Sequence, residues 1–354
     1  MTPRQRIIEA MSHRRPDRVP RYEIFLPGYV DRWRRSKGKG PDADVYDAYD
    51  RIDIGTVLAM QEGPLGSRVE RRETDGDTYY QRDSWGRYQK CSRSGTFFEV
   101  LESAIAEKSD LDALRFEDPW TADRTAMYRE WERRASERFC PVSGVMGLFM
   151  SSYYLRGEFE LLVDLKEDEA FCRSLAERVA RFLAAAGEKA LEVTNTGETA
   201  IWVYDELGNN QSSLISPQTF ERVYLRAYQA MIGRWKSRGL RNVILHCDGN
   251  CLPLIDLLIE AGFTGIQGVN PSAGMTVPAV KARYGDRLVL IGGMCNIHVL
   301  TQGSRDQIAR QAAEIVEAAR DGGVIIGTHS IDSDIPVENY DFYHSTLKRL
   351  DETF

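Results

Sequence analysis

From residue 159 onward the chain alternates between two periodicities. Apolar residues at helical spacing cover 159–164, 167–192, 217–238, 252–261, 277–284, 305–320 and 337–350. Between them lie short apolar runs at 200–204, 243–246, 265–267, 288–291 and 324–326, continuous in the way that strands buried on both faces are. Strand and helix in turn predict βα units and a parallel sheet. No Gly-x-Gly-x-x-Gly loop follows any of these strands, so the expected α/β fold is a closed TIM (β/α)8-type barrel rather than a doubly wound sheet.

The first part of the chain reads differently. Residues 3–11 place Ile7, Ile8 and Met11 on one side of a short helix, which Arg14-Arg15-Pro16-Asp17-Arg18-Val19-Pro20 ends. Candidate strands follow at 22–26 and 53–58, with a basic, solvated helix at 32–39 between them. Residues 67–100 alternate polar and apolar, with Asp75-Gly76-Asp77 and Trp85-Gly86-Arg87 as turns, the pattern of a small antiparallel meander. A charged helix at 121–139 leads into a strand at 141–147. The expected organisation is a single domain over 1–354 with an N-terminal extension and a β-meander insertion at 67–100.

Composition narrows the function classes. A formal charge of -7 argues against a nucleic-acid partner. No apolar run approaches the ~20 residues of a membrane helix, and the charged start has no apolar segment behind it, so a cytoplasmic protein is expected. Six cysteines without a Cys-x-x-Cys pair predict free thiols.

Candidate chemistry collects at the C-terminal ends of the expected strands, where barrel enzymes keep their active sites. Asp205 and Glu206 follow one strand, His246 and Asp248 the next, then Gln267 and Asn270, Met294 and Cys295, and His329. Strand alternation sends Ile244, His246 and Asp248 to one face and Cys247 to the other. Asp248 or Asn250 can alternatively cap the helix that begins near Leu252-Pro253. Two of the five histidines fall on this rim, whereas His13, His298 and His344 lie in helical or loop contexts that favour the surface. Three protein ligands with an open position are what catalytic zinc uses. One of Asp205 and Glu206 is expected to reach such a site, and Cys295 is either a ligand or a small buried bystander.

These residues together resemble the uroporphyrinogen decarboxylase-like superfamily, in particular its methyltransferase branch that works with corrinoid proteins. The resemblance runs through Arg4-Gln5-Arg6, Asp17-Arg18-Val19-Pro20, Trp85-Gly86, Tyr153-Tyr154-Leu155-Arg156-Gly157 and Tyr204-Asp205-Glu206-Leu207-Gly208. It continues through His246-Cys247-Asp248-Gly249-Asn250, Lys281-Ala282-Arg283-Tyr284-Gly285-Asp286, Gly292-Gly293-Met294, and His329 ahead of Pro336-Val337-Glu338-Asn339. It implies a TIM-type barrel and a zinc or other divalent site at His246, Asp248 and His329, where the zinc-dependent branch has His-x-Cys and a later Cys. It adds Tyr153 to Asp205 and Glu206 as catalytic or orienting groups, and the strand-end reading puts Gln267, Asn270 and Cys295 on the substrate side. Replacing two thiolates by a carboxylate and an imidazole favours the donor half-reaction, in which a methyl group leaves a small O- or N-methylated substrate for the cobalt of a corrinoid on a separate protein. The alternatives are a metal-free decarboxylase of a tetrapyrrole or other carboxylated substrate, and a non-catalytic barrel that binds a corrinoid partner. The decarboxylase branch carries an Arg-Gln-Ala-Gly-Arg signature with no counterpart near Pro20-Arg21-Tyr22. A homodimer is among the assemblies left open.

Overall fold

A computed structural model describes residues 1–74, 76–93, 98–118 and 120–354. Barrel strands β1 (Arg21–Tyr22) and β2 (Leu58–Met60) come first. An antiparallel sheet of β3 (Glu70–Glu73), β4 (Thr78–Arg82), β5 (Tyr88–Ser92) and β6 (Phe98–Glu102) follows. The barrel resumes with β7 (Ser143–Met146), β8 (Ile201–Tyr204), β9 (Val243–His246), β10 (Gly265–Val269), β11 (Val289–Gly293) and β12 (Val324–Gly327). Its eight strands run in the order β1-β12-β11-β10-β9-β8-β7-β2, every neighbouring pair parallel. A parallel bridge between Tyr22 and Ile54 joins β1 to the segment that leads into β2. The strand expected at 53–58 is therefore split. Asp53 and Ile54 both donate backbone N–H groups to Arg21 O, and the regular ladder begins only at Leu58.

The period of two places the core. Tyr22, Trp202, Ile244, Val289, Ile291 and Ile325 point inward and pack together, while Val243, Leu245, Leu290, Val324 and Ile326 point outward into the larger layer beneath the helices. Helix Pro3–Met11 closes the lower end. Thr2 and Gln5 form its capping box, and Ile7, Ala10 and Met11 join the inner cluster. Beside it the buried Asp53 carboxylate accepts from Arg6 Nη1 at 2.5 Å, Arg18 Nη1 at 2.8 Å and Arg21 N at 2.9 Å. The N-terminal extension is thus a plug, tied down by paired charges.

The antiparallel sheet confirms the meander expected from 67–100, with β6 ending at Glu102; Asp75 of the first expected turn and residues 94–97 lie outside the described residues. The second turn is as read. Asp83 Oδ1 accepts from Trp85 N at 2.9 Å and Arg87 N at 3.1 Å, and Gly86 takes φ 82°, where a side chain would be strained. Trp85 fastens the sheet to the barrel: Nε1 donates to Gln61 O at 2.8 Å, and its ring meets Tyr154 and Phe182 edge-on. His344 corrects the surface expectation. It is 8% exposed, wedged against Tyr49, with Nε2 3.0 Å from Asp50 O. All six cysteines are buried and unpaired, and no helix among the described residues is long and apolar enough to cross a membrane.

Candidate metal centre

Strands β8, β9 and β10 hold Tyr204, His246 and Gln267 on one rung at the C-terminal mouth. Ile244 faces the inner core one step below, so the same alternation turns His246 into the mouth. The His246 ring rests against Tyr204, centroids 4.7 Å apart, and Nδ1 is hydrogen-bonded to Gln267 Oε1. An amide oxygen only accepts, so Nδ1 carries the proton and the Nε2 lone pair is left free. That nitrogen lies 3.8 Å from Asp248 Oδ1 and 3.6 Å from Glu206 Oε1. His329, just past β12, comes in from across the mouth with Nε2 2.7 Å from Asp248 Oδ1, while its Nδ1 meets Ser330 Oγ at 3.0 Å.

Backbone contact sets where Asp248 can go. A Cβ at Gly249 would come within 2.1 Å of Gly208, and one at Gly268, whose φ is 96°, within 2.3 Å of Cys247 O, so only glycine lets the loops after β8, β9 and β10 touch. Asn250 N donates to Asn209 O at 2.7 Å, and Asn250 Oδ1 accepts from Leu252 N at 3.0 Å. Asn250 therefore takes the capping role left open between it and Asp248, and the Asp248 carboxylate is free. Its Oδ1 is buried, and the polar group nearest to it is the His329 imidazole, with Nε2 at 2.7 Å.

His246, Asp248 and His329 each offer a ligand atom, and these atoms lie within 4.8 Å of one another. Two imidazole nitrogens and one carboxylate oxygen suit zinc and other borderline-to-hard divalent ions. The donor set, the His246 Nε2 freed by the bond to Nδ1, and an Asp248 oxygen set between two imidazoles all fit a cation held here.

The charges are mutually adjusted. Burial holds the His246 imidazole below its ordinary value. For Asp248 burial works upward, but the His329 imidazole outweighs it and keeps the carboxyl below the usual range. Burial likewise opposes charge on His329, and Asp248 overcomes it and raises the imidazole. Glu206 is pushed up to about 7, by burial first and then by Asp248. Its Oε2 accepts from Asp248 N at 3.0 Å, which leaves the carboxyl beside His246.

A cavity of about 530 Å3 opens over His246 and Glu206, at one side of this group. Tyr204, Glu206, His246, Met146 and Met150 line it from the barrel, and Gln81, Asp83, Trp85, Arg87 and Gln89 from the antiparallel sheet. That sheet roofs the mouth.

Residues 98–350 match the family model described as Uroporphyrinogen decarboxylase (URO-D). The chain belongs to the uroporphyrinogen decarboxylase family. Among solved structures, a methyltransferase from Methanosarcina mazei is similar over 99% of both chains, with a TM-score of 0.70 and 17% identity, a likeness of fold. A B12-independent methionine synthase from Shewanella sp. W3-18-1 in complex with selenomethionine has a TM-score of 0.40 at 11% identity, over 81% of this chain and 74% of its own. No curated protein matches.

Within this member of the URO-D family, the expected site residues divide. His246, Asp248 and His329 converge, with Gln267 behind His246 and Glu206 beside it. Asp205 is completely buried on the other side of the turn, where its carboxylate accepts from Phe149 N at 3.1 Å, Met150 N at 2.7 Å and Tyr228 Oη. It caps helix Leu148–Arg156. Asn270 Nδ2 reaches Asp248 O at 3.5 Å, and its Oδ1 accepts from Ser272 N at 2.9 Å, so it supports the loop rather than lining the cavity. Cys295 lies against Ser272 Oγ at 3.2 Å and accepts from His298 N at 3.3 Å. Tyr153 lines a separate cavity of about 830 Å3 under β6, whereas its neighbour Tyr154 borders both. The roof residues Gln81, Asp83, Arg87 and Gln89 were missed by sequence reasoning. Their alternation is visible in 78–92, but the sequence does not say which face of a small sheet lies on the barrel.

Proposed function

We propose that this protein is a metal-dependent methyltransferase that takes a methyl group from a small O- or N-methylated substrate and passes it to the cobalt of a corrinoid carried by a partner protein. The observation that carries the reading is the convergence of His246, Asp248 and His329 at the barrel mouth, with Asp248 Oδ1 set between the two imidazoles. A divalent ion bound there supplies a Lewis acid for the oxygen or nitrogen that bears the methyl group. Gln267 fixes the His246 ring and its tautomer. Glu206, poised at about 7 and 3.6 Å from His246 Nε2, holds a proton at its carboxyl and gives it to the oxygen or nitrogen as the methyl departs. The antiparallel sheet over residues 67–100 is an insertion within one domain, and it keeps the cavity dry while one side stays open to the partner.

A polycarboxylate substrate fits this cavity less well. Among the described residues lining it, the one Lys or Arg is Arg87, already paired with Asp83 at 2.6 Å, and Glu62 adds negative charge. Recognition of several carboxylates needs unpaired guanidiniums.

The test is elemental analysis of the purified protein and of His246→Ala, with methylation of added cob(I)alamin from a set of O- and N-methyl donors. The expected result is stoichiometric divalent metal and donor-dependent methylation, both lost in the variant. Metal-free protein with full activity overturns the metal, and carbon dioxide release from a carboxylated substrate overturns the reaction.

A further inference from the structure

The wall of the cavity opposite His246 carries a chain of polar groups with a fixed direction. It starts at Asp83, whose Oδ2 accepts from Arg87 Nε at 2.7 Å and from Gln89 Nε2 at 3.1 Å. A carboxylate accepts and does not donate, so it fixes the Gln89 amide with its NH2 toward Asp83 and its oxygen pointing away. Gln89 is 2% exposed and has no other way to satisfy that oxygen. It accepts from Gln81 Nε2 at 2.8 Å, across the rung on which β4 and β5 pair these two residues. The Gln81 amide is thereby fixed as well, and its oxygen is the end of the chain. Gln81 lines the cavity, and its Oε1 takes no hydrogen bond among the described residues. Beside it the wall is apolar: Trp85, Met146, Met150 and Tyr204.

We infer that Gln81 is a specificity-determining residue: its carbonyl oxygen selects a methylated substrate that carries a hydrogen-bond donor, a hydroxyl or N–H group, on an otherwise apolar body. Gln89 and Asp83 are positioning residues that hold the Gln81 amide in this orientation. The inference rests on the reading above in one respect, that substrate occupies the cavity over His246. It names the feature by which one methylated compound is preferred to another. Without the Asp83 anchor the two amides could both turn over and offer an NH2 group instead, which would select an acceptor.

The experiment measures binding, so that it does not depend on turnover. The probes are matched pairs in which one member has its donor capped by methyl: 2-methoxyethanol with 1,2-dimethoxyethane, and 2-methoxyphenol with 1,2-dimethoxybenzene. Dissociation constants are taken by titration calorimetry or ligand-observed NMR on the zinc-supplemented full chain, wild type, Gln81→Met and Gln81→Glu. In at least one pair the donor-bearing member is expected to bind the wild type about tenfold more tightly, the size of one hydrogen bond to a group otherwise left unpaired. Gln81→Met abolishes the preference by weakening that member alone, and Gln81→Glu, which keeps an acceptor, retains it. Both variants melt within a few degrees of wild type, so a structural role for Gln81 does not produce this pattern. Equal binding within every pair, no binding of any probe to the wild type, or a preference that survives Gln81→Met overturns the inference. Methyl transfer to cob(I)alamin without a donor preference defeats this inference alone, whereas a Gln81-dependent preference without methyl transfer defeats the methyltransferase reading alone.

Discussion

The two ends of the barrel handle charge in opposite ways. At the lower end Asp53 is fully buried and takes bonds from Arg6, Arg18 and Arg21 N, under a helix that plugs the opening. At the upper end Asp248 is half-exposed, its Oδ1 faces the imidazoles of His329 and His246, and Glu206 lies beside them. One end has closed its electrostatics and the other has left them open. A fully paired buried carboxylate is structural, whereas one that faces two imidazoles at an open barrel mouth is prepared for something that arrives later.

Mutations can break this comparison from either side. The largest effect is expected at the closed end, where Asp53→Ala leaves the Arg18 guanidinium without its carboxylate and Arg6 with Asp17 alone. It should cost about 3–5 kcal/mol of stability, read as a lowered denaturation midpoint at unchanged slope. At the open end Asp248→Ala should change stability little in the absence of metal and weaken zinc binding at least ~100-fold, about 2.7 kcal/mol, measured by competition with a chelating dye. In the same experiment zinc at about 100 times its dissociation constant should stabilise the wild type by about 2.7 kcal/mol and leave Asp248→Ala unmoved. If Asp53→Ala were the variant that lost zinc, the contrast between the two ends would fail.

A third prediction concerns Glu23, buried behind β12 with Oε2 accepting from Thr328 Oγ1 at 2.7 Å. Burial pushes this carboxyl up to about 8 from 4.5. The folded chain then holds a proton that the unfolded chain has lost, so stability is full below about 4.5 and falls as pH rises toward 8. Glu23→Gln should remove that slope and raise stability at pH 8 relative to wild type by on the order of 2 kcal/mol, seen in melts from pH 5 to pH 8. The smallest expected effect is Gln267→Leu. It removes the partner of His246 Nδ1 while leaving the three ligand side chains, and zinc affinity should fall about tenfold.

His246, Asp248 and His329 were legible as rim residues because they sit at the ends of buried strands, and the family resemblance grouped them as one candidate ligand set. There, alternation states which side chain turns inward, and chain order states that successive strands share one rim. The choice between Asp205 and Glu206 was not legible. Both follow the same strand, and only the arrival of helix Leu148–Arg156 behind the turn claims Asp205 as its cap and leaves Glu206 to the cavity. His344 was misread for a related reason. A histidine on an amphipathic helix looks solvated until Tyr49 and Asp50, from nearly 300 positions away, close over it.

Taken alone, the sequence determined the barrel and its polar rim, because both are encoded in local periodicity, and the family resemblance singled out His246, Asp248 and His329 on that rim. Tertiary structure decided which carboxylate faces the cavity, which residue caps the helix after β9, and that the antiparallel sheet supplies the opposite wall. Those outcomes depend on contacts between segments distant in the chain, such as the glycine-to-glycine approach of Gly208 and Gly249 and the docking of Trp85 onto the barrel, and local pattern carries no record of which distant surface a segment will meet.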